Sequence, residues 1–334
     1  MGEILEIAKV LVSPCEKLMT MVGGAIGKAY EPRHTRKMAD AHAYELSTIG
    51  AAMRELADIN TTYENGNVAL FTEDFQRLMQ RTQNRMALQE ITRQQNIESV
   101  VDKAYDLLEN ENEVTDEPVN QDWTRRFFNI TGDISNSEMQ EVWARILSGE
   151  IKRPGSFSMR TLETIRNIST EEAQTFQKII PLILHNGNAY FVLSDSDILT
   201  KCGSSFADMQ TLDDCGLMDS SGTLSLNLSI RKDKPEYLLS DTLLIAIKGK
   251  KEESEKIRIG IHTLTRAGLE LFNILVHETN QDYTIQVANH IFLHNAEKVS
   301  TSVHKLVSLE RDLGGEKFQY EVVPLASYSK ETTL

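Results

Sequence analysis

The chain has 334 residues, of which 40% are hydrophobic and 25% are charged, as in soluble proteins with two or three domains. Its 49 acidic and 35 basic residues give a net charge of -14, which disfavours a surface built to neutralise phosphates. Binding of nucleic acid is therefore not expected. Cys15, Cys202 and Cys215 form no C-x-x-C pair, so neither a disulfide framework nor a thiolate zinc site is predicted. A cytoplasmic location fits this usage.

The N-terminal region, residues 1–108, has the apolar spacing of helices. Residues 3–12 predict an amphipathic helix, and Ser13-Pro14-Cys15-Glu16 starts another helix that Gly23 and Gly24 should end. Residues 34–59 and 72–108 each repeat apolar side chains every three or four positions, with a turn-forming stretch between them. These two segments predict a long helical hairpin. The longest uncharged run, residues 18–27, is too short to cross a bilayer.

An acidic, proline-containing segment at 109–119 predicts a solvated linker between domains. Capping boxes at Ser135-x-x-Glu138 and Ser169-x-x-Glu172 then predict helices in a central domain, residues 120–186. Gly149 should end the first of these helices.

The sequence between those two capping boxes predicts a sharp joint. Pro154-Gly155 should make the turn, and Ser158 can cap the short helix that follows, so that one helix turns onto the next. Aromatic residues at helical spacing are more often core than a ligand cage, and we expect core here. The expected core includes Trp123, Phe127, Phe128, Trp143, Leu147 and Leu162.

The C-terminal region, residues 187–334, changes to the alternating pattern of strands. Strands are predicted at 189–193, 224–230, 243–247, 257–264 and 318–323. Short helices are predicted before Gly216 and after Thr265. This order predicts a winged-helix-like α+β module. The predicted fold class is thus mainly α with a C-terminal α+β module.

Residues 122–173, "DWTRRFFNITGDISNSEMQEVWARILSGEIKRPGSFSMRTLETIRNISTEEA", resemble the signature of a bacterial family catalogued as domain of unknown function twenty-eight-oh-six. The matching positions include Trp123, Phe127, Phe128, Trp143, Gly149, Glu150, Pro154, Gly155 and Arg160. The resemblance extends to "QQNIESVVDKA" at 94–104 and "LTRAGLEL" at 264–271. It implies no activity, because the family has none established. The layout alone is similar to that of abortive-infection alpha-type proteins, and by this analogy implies phage defence.

Few residues suggest a catalytic, metal-binding or cofactor-binding site. Glu150 and Arg160 flank the joint and would form either a buried pair that locks it or an exposed pair worth little. His290 and His294 would share one helix face, but no third metal ligand is evident. We therefore expect no metal and no cofactor. No catalytic motif is present, so enzyme activity is not expected.

Two basic clusters suggest contact with a partner. Arg77, Arg81 and Arg85 recur every four residues as a stripe suited to phosphate, lipid headgroups or an acidic helix, although a solvated face is the commoner case. The second cluster comprises Lys28, Arg33, Arg36 and Lys37. It follows an apolar segment, a combination that suits an anionic membrane surface. Docking of the first helix on its own domain or on a second subunit explains the apolar segment equally well.

The leading hypothesis is a non-enzymatic interaction or scaffold protein, cytoplasmic or peripheral to the inner membrane. It would bind a protein partner, a second copy of itself or the membrane surface, with phage defence as its setting. The alternative is a nucleic-acid-binding regulator that uses the C-terminal module. Its helix at 204–215 contains Asp208, Asp213 and Asp214 and no basic residue, a composition that repels phosphate. An enzyme with an unrecognised site ranks last.

Overall fold

A computed structural model describes residues 11–26, 61–64, 67–70, 73–187, 189–275, 278–312 and 315–330. The chain divides into two units, Met1–Met159 and Arg160–Leu334. The helix predicted at 34–59 lies outside the described residues, so the long helical hairpin stays a prediction. Residues 3–10 of the helix predicted at 3–12 also lie outside them, and its last two residues, Leu11 and Val12, form a strand instead. Among the described helices, none has the length and apolar character needed to cross a bilayer.

Helices dominate the described part of the first unit. They are α1 (Pro14–Ile26), α2 (Glu73–Leu108), α3 (Gln121–Thr131) and α4 (Ser137–Lys152). Two small antiparallel pairs accompany them, β1 (Leu11–Val12) with β4 (Val114–Thr115) and β2 (Thr61–Glu64) with β3 (Asn67–Leu70). The helices predicted at Pro14 and at 72–108 are confirmed. The stop predicted at Gly23 and Gly24 is wrong, since α1 continues to Ile26; a helix tolerates glycine at a cost of about 1 kcal/mol each.

The C-terminal half of α2 is attached to α3 and α4 by hydrogen bonds of buried side-chain amides. Asn96 donates through Nδ2 to Gly132 O at 2.8 Å, and Gln140 donates through Nε2 to Ile134 O at 2.8 Å. Ser99 Oγ donates to Gln140 Oε1, also at 2.8 Å, which joins α2 to α4. Because each buried amide has hydrogen-bond partners, these groups fix how α2 lies on α3 and α4 without an unpaired polar atom. Buried apolar residues continue the contact at Val100, Val101, Ala104 and Leu108.

The boundaries of α4 differ from the sequence prediction. Asn136 is the N-cap, with its Oδ1 accepting the Met139 N–H at 2.9 Å, so the capping box predicted at Ser135 is wrong. Gly149 does not end the helix, which runs on to Lys152 and buries Ile151. A glycine is a common helix end, but buried apolar residues on both sides of it favour continuing the helix.

The second unit combines helices with a large antiparallel sheet. Its helices are α5 (Met159–Arg166, starting one residue before the division), α6 (Thr170–Ile179), a 3-10 turn (Ile180–Leu182), α7 (Ser196–Lys201), α8 (Phe206–Asp214), α9 (Arg266–Phe272) and α10 (Gln281–His294). Its strands are β5 (Leu184–Asn186), β6 (Ala189–Leu193), β7 (Met218–Asp219), β8 (Ser225–Ile230), β9 (Glu236–Leu239), β10 (Leu243–Gly249), β11 (Glu255–Leu264), β12 (Val299–Asp312), β13 (Gly315–Tyr320) and β14 (Ala326–Tyr328). The capping box at Ser169 and Glu172 is confirmed, as is the N-cap at Thr265.

Within the described residues, the ten strands form one sheet of order β13-β12-β10-β9-β5-β6-β11-β7, in which β14 pairs with β12 and β8 with β11. Helix α10 packs on β12, and Thr301 Oγ1 donates to Ala288 O at 2.9 Å. Both residues are buried, together with Tyr283, Val287 and Ile291 of the same helix. The fold is therefore mixed, with a helical N-terminal part and an α+β C-terminal part.

Substitution of Gly268 tests the packing at the start of α9. A Cβ atom there would lie 2.0 Å from Leu217 O and 3.0 Å from its carbonyl carbon, so the backbone must shift. We expect Gly268→Ala to lower the free energy of unfolding of the second unit by about 1–3 kcal/mol, the usual cost of overpacking. Urea denaturation followed by circular dichroism measures this. Gly222→Ala is the control, because a Cβ at Gly222 meets nothing within 4 Å, and an equal loss in both variants contradicts the prediction.

Candidate interaction site

The joint after α4 is held by the buried carboxylate of Glu150, which is 1% exposed. Its Oε1 accepts the Gly155 N–H at 2.7 Å, and its Oε2 accepts the Phe157 N–H at 3.0 Å. Gly155 has a φ of +83°, a conformation that favours glycine. The loop thus folds back on the helix that precedes it, which explains why Glu150 and Gly155 belong to the signature.

Trp123 of α3 binds the same loop through a hydrogen bond. Its indole Nε1 donates to Phe157 O at 2.9 Å, and its ring stacks on Phe127 with centroids 5.1 Å apart. Phe127 meets Trp143 edge-on at 5.6 Å. Exposure of these rings and of Phe128 is 5% or less, so they are core and present no face to a ligand.

The remaining signature residues have different surroundings. Gly149 lies within α4, and Pro154 is half-buried at the turn. Arg160 is exposed at the start of the second unit. Its predicted pairing with Glu150 stays a prediction.

The first half of α2 is an exposed helix carrying large apolar side chains. Helix α2 has 36 residues and so is about 54 Å long, but none of residues 77–95 is buried. Residues 77–92 are called the exposed segment below. Within it, the exposed fractions are 50% for Leu78, 45% for Met79, 57% for Met86 and 66% for Leu88.

The predicted basic stripe lies on this exposed segment. Arg77, Arg81 and Arg85 are all exposed. Arg81 and Arg85 form no hydrogen bond or ion pair with any residue that the structure describes. Like charges four residues apart destabilise an isolated helix slightly, so the stripe is not there for the stability of α2 itself. The second basic cluster, Lys28, Arg33, Arg36 and Lys37, lies outside the described residues.

His290 and His294 share one face of α10, as their spacing predicts. Their ring centroids are 4.1 Å apart, and His290 Nδ1 lies 3.4 Å from Asp195 Oδ2. Burial lowers the pKa of His290, the nearby His294 lowers it further, and Asp195 opposes both. Within the described ranges, no group of three or more His, Cys, Asp or Glu residues is arranged to hold a metal ion.

His262 on β11 is a buried imidazole that sequence reasoning did not single out. It is 6% exposed, and its Nδ1 has no hydrogen-bond partner among the described residues. Burial lowers the pKa of His262, although the carboxylates of Asp213 and Asp219 act in the opposite direction. The neutral imidazole is therefore favoured by folding.

One comparison with known proteins identifies the family. A family model described as "Protein of unknown function (DUF2806)" matches residues 80–288, well over half of the chain. The chain therefore belongs to this family, and the resemblance seen in the signature block is confirmed. No curated protein and no solved structure matches the chain.

Removal of the Glu150 carboxylate should weaken the first unit. Glu150→Ala leaves two backbone N–H groups without their acceptor, so we expect a loss of about 3 kcal/mol in the free energy of unfolding. Trp123 and Trp143 are the only two tryptophans of the chain, and both lie in this unit, so tryptophan fluorescence during urea denaturation measures it. The exposed Glu113→Ala should change stability by less than about 0.5 kcal/mol. Equal stability of Glu150→Ala and the unsubstituted chain contradicts the role assigned to the carboxylate.

The second unit should lose stability on acidification through His262. Its folded pKa is lowered, so as pH falls below the unfolded value of about 6.5 the unfolded state takes up the proton first. We expect denaturation at about pH 5.5 and about pH 7.5 to show a smaller stability difference in His262→Gln than in the unsubstituted chain. An unchanged pH dependence in His262→Gln counts against this assignment.

Proposed function

We propose that the chain is a non-enzymatic interaction protein that binds a protein partner through the exposed segment of α2. The observation that carries this is the exposure of Leu78, Met79, Met86 and Leu88 on one continuous helix. Single exposed apolar residues are normal, but neighbouring ones mark an interaction surface, and Met79 and Met86, seven residues apart, lie on one face of the helix.

The composition of the segment supports a protein as the occupant. Methionine and arginine are enriched in protein interfaces, and Met79, Met86 and the Arg stripe supply both. A helix that lies on a membrane needs a wide apolar face, whereas Gln80, Gln83, Asn84 and Gln89 are interspersed here. Association with an acidic partner surface would also relieve the repulsion within the stripe.

Photo-crosslinking tests this function directly. A photoreactive residue replaces Asn84, which is exposed in the middle of the segment, in the full chain expressed in the source bacterium. We expect one discrete protein adduct, identified by mass spectrometry, that is lost when Arg81→Glu and Arg85→Glu are introduced together. The matched control, Lys248→Glu with Lys256→Glu, reverses two exposed charges of the second unit and should leave the adduct unchanged.

The other occupants give different results in the same experiment. Residues 34–59, which are predicted to pair with 72–108 as a hairpin, would give a crosslink within the chain and no adduct, and this result would overturn the proposal. An adduct at twice the mass of the chain identifies a second copy as the partner. Cosedimentation with vesicles rich in phosphatidylglycerol, with no protein adduct, would overturn the proposal in favour of a membrane surface. An adduct that survives Arg81→Glu with Arg85→Glu shows that the stripe does not contribute.

The alternative is a nucleic-acid-binding regulator with a winged-helix-like C-terminal module, and it has weaker support. Its candidate recognition helix, α8, carries Asp213 and Asp214 as exposed acids. Asp208 of the same helix accepts a hydrogen bond from Lys178 at 2.7 Å, so this ammonium group is already paired with a carboxylate. A surface of this sign repels phosphate. Phage defence, suggested by layout alone, stays a prediction about the cellular setting.

A further inference from the structure

A cleft in the first unit lies between α1, the segment after β4 and the start of α3. Its volume is about 700 Å³, within the range of about 300–1,000 Å³ usual for ligand sites. Thr20 and Gly24 of α1 lie on one side, and Asp116, Pro118 and Val119 lie on the other. Most ligand pockets are predominantly apolar, whereas this one alternates polar and apolar residues as a protein interface does.

One wall of the cleft is the chain segment that follows β4, residues 116–119, which is neither helix nor strand. Thr115 of β4 pairs with Leu11 of β1, and its carbonyl also accepts from Lys17 Nζ at 2.9 Å, which anchors the wall to α1. Beyond Thr115, the N–H groups of Glu117 and Val119 make no backbone hydrogen bond with any described residue. A segment that continues a strand and has unpaired main-chain groups is a place where the main chain of a peptide can add.

The cleft also presents unpaired charges of both signs. Arg125 on one side and Glu16 on another are exposed and form no hydrogen bond or ion pair through their side chains with the described part of the chain. Asp116 interacts electrostatically with the Lys17 ammonium, which lines the same cleft. A simple anion would complement Arg125 but be repelled by the two carboxylates, whereas a ligand that carries both charges complements Arg125 and Glu16 together.

We propose that this cleft binds an extended peptide segment of a partner protein. The main chain of the peptide pairs with residues 116–119, an acidic side chain meets Arg125, and a basic side chain meets Glu16. Apolar side chains of the peptide pack on Val12, Met21 and Val119. The inference rests on the proposed function in that a partner supplies the peptide, but it concerns a different surface from the exposed segment of α2.

Selection from a displayed library of random octapeptides on the full chain tests the proposal. We expect enriched peptides that contain at least one acidic and one basic residue, with binding measured individually by fluorescence anisotropy. Gly24→Phe should weaken binding roughly tenfold or more, because Gly24 lines the cleft and a Cβ there meets nothing within 4 Å, which leaves the cleft as the space for the ring. Gly24→Ala is the matched control and should bind as the unsubstituted chain does.

Charge reversal separates recognition from a structural effect. Arg125→Glu should also weaken binding roughly tenfold or more, and exchange of the acidic residue of the peptide for lysine should restore it. Lys248→Glu should change nothing. Failure to enrich any peptide, or unchanged binding by Gly24→Phe, overturns the proposal and identifies the cleft as closed to peptides.

The two proposals fail independently. Arg81→Glu with Arg85→Glu should leave peptide binding unchanged, because these residues are not part of the cleft. A persisting adduct at position 84 without any selected peptide overturns the peptide site alone. Selected peptides without an adduct overturn the role of the exposed segment alone.

Discussion

The buried carboxylate of Glu150 is the constraint around which the first unit is arranged. A charge removed from water is tolerated only when hydrogen bonds replace its hydration, and the loop at 153–158 supplies two of them. That loop can reach the carboxylate only if it reverses sharply, which requires the left-handed conformation of Gly155. The Trp123 indole then holds the carbonyl of Phe157, whose N–H the carboxylate already holds. Much of the family signature is therefore the set of residues that one buried charge requires.

Strong periodicity and local capping chemistry explain which elements the sequence predicts well. Helix α2, the aromatic core and the capping box at Ser169 depend on residues close together in the chain. Strand β12 is not predicted because its pattern is irregular: a bulge between Leu306 and Ser308 shifts the alternation partway along. The predicted helix end at Gly149 is misplaced because burial of Ile151 outweighs the preference of glycine for helix ends.

The sequence likewise predicts some features of the candidate sites and not others. The four-residue spacing of Arg77, Arg81 and Arg85 predicts that they share one helix face, and all three lie on the exposed half of α2. Apolar spacing cannot distinguish a face that packs within the chain from one left open, so it does not predict the exposure of Leu78 and Met86. The cleft has no signal in the sequence, because its walls join residues 98 positions apart, such as Lys17 and Thr115. Only the folded chain brings its unpaired groups together.

Helix α2 is one unbroken rod with two different environments. Its C-terminal half is secured by Asn96, Ser99 and the apolar residues behind them, and Arg93 donates to Asn129 O at 3.2 Å, whereas none of residues 78–92 is buried. Opening of the exposed half breaks no tertiary contact of a buried side chain, so its amide hydrogens should exchange with solvent far sooner than those beyond Asn96. A partner that binds there therefore suppresses fraying of the exposed segment. The core of the unit stays folded whether or not that segment is helical. The N-terminal half of α2 can therefore be helical or frayed while the packing of its C-terminal half stays the same.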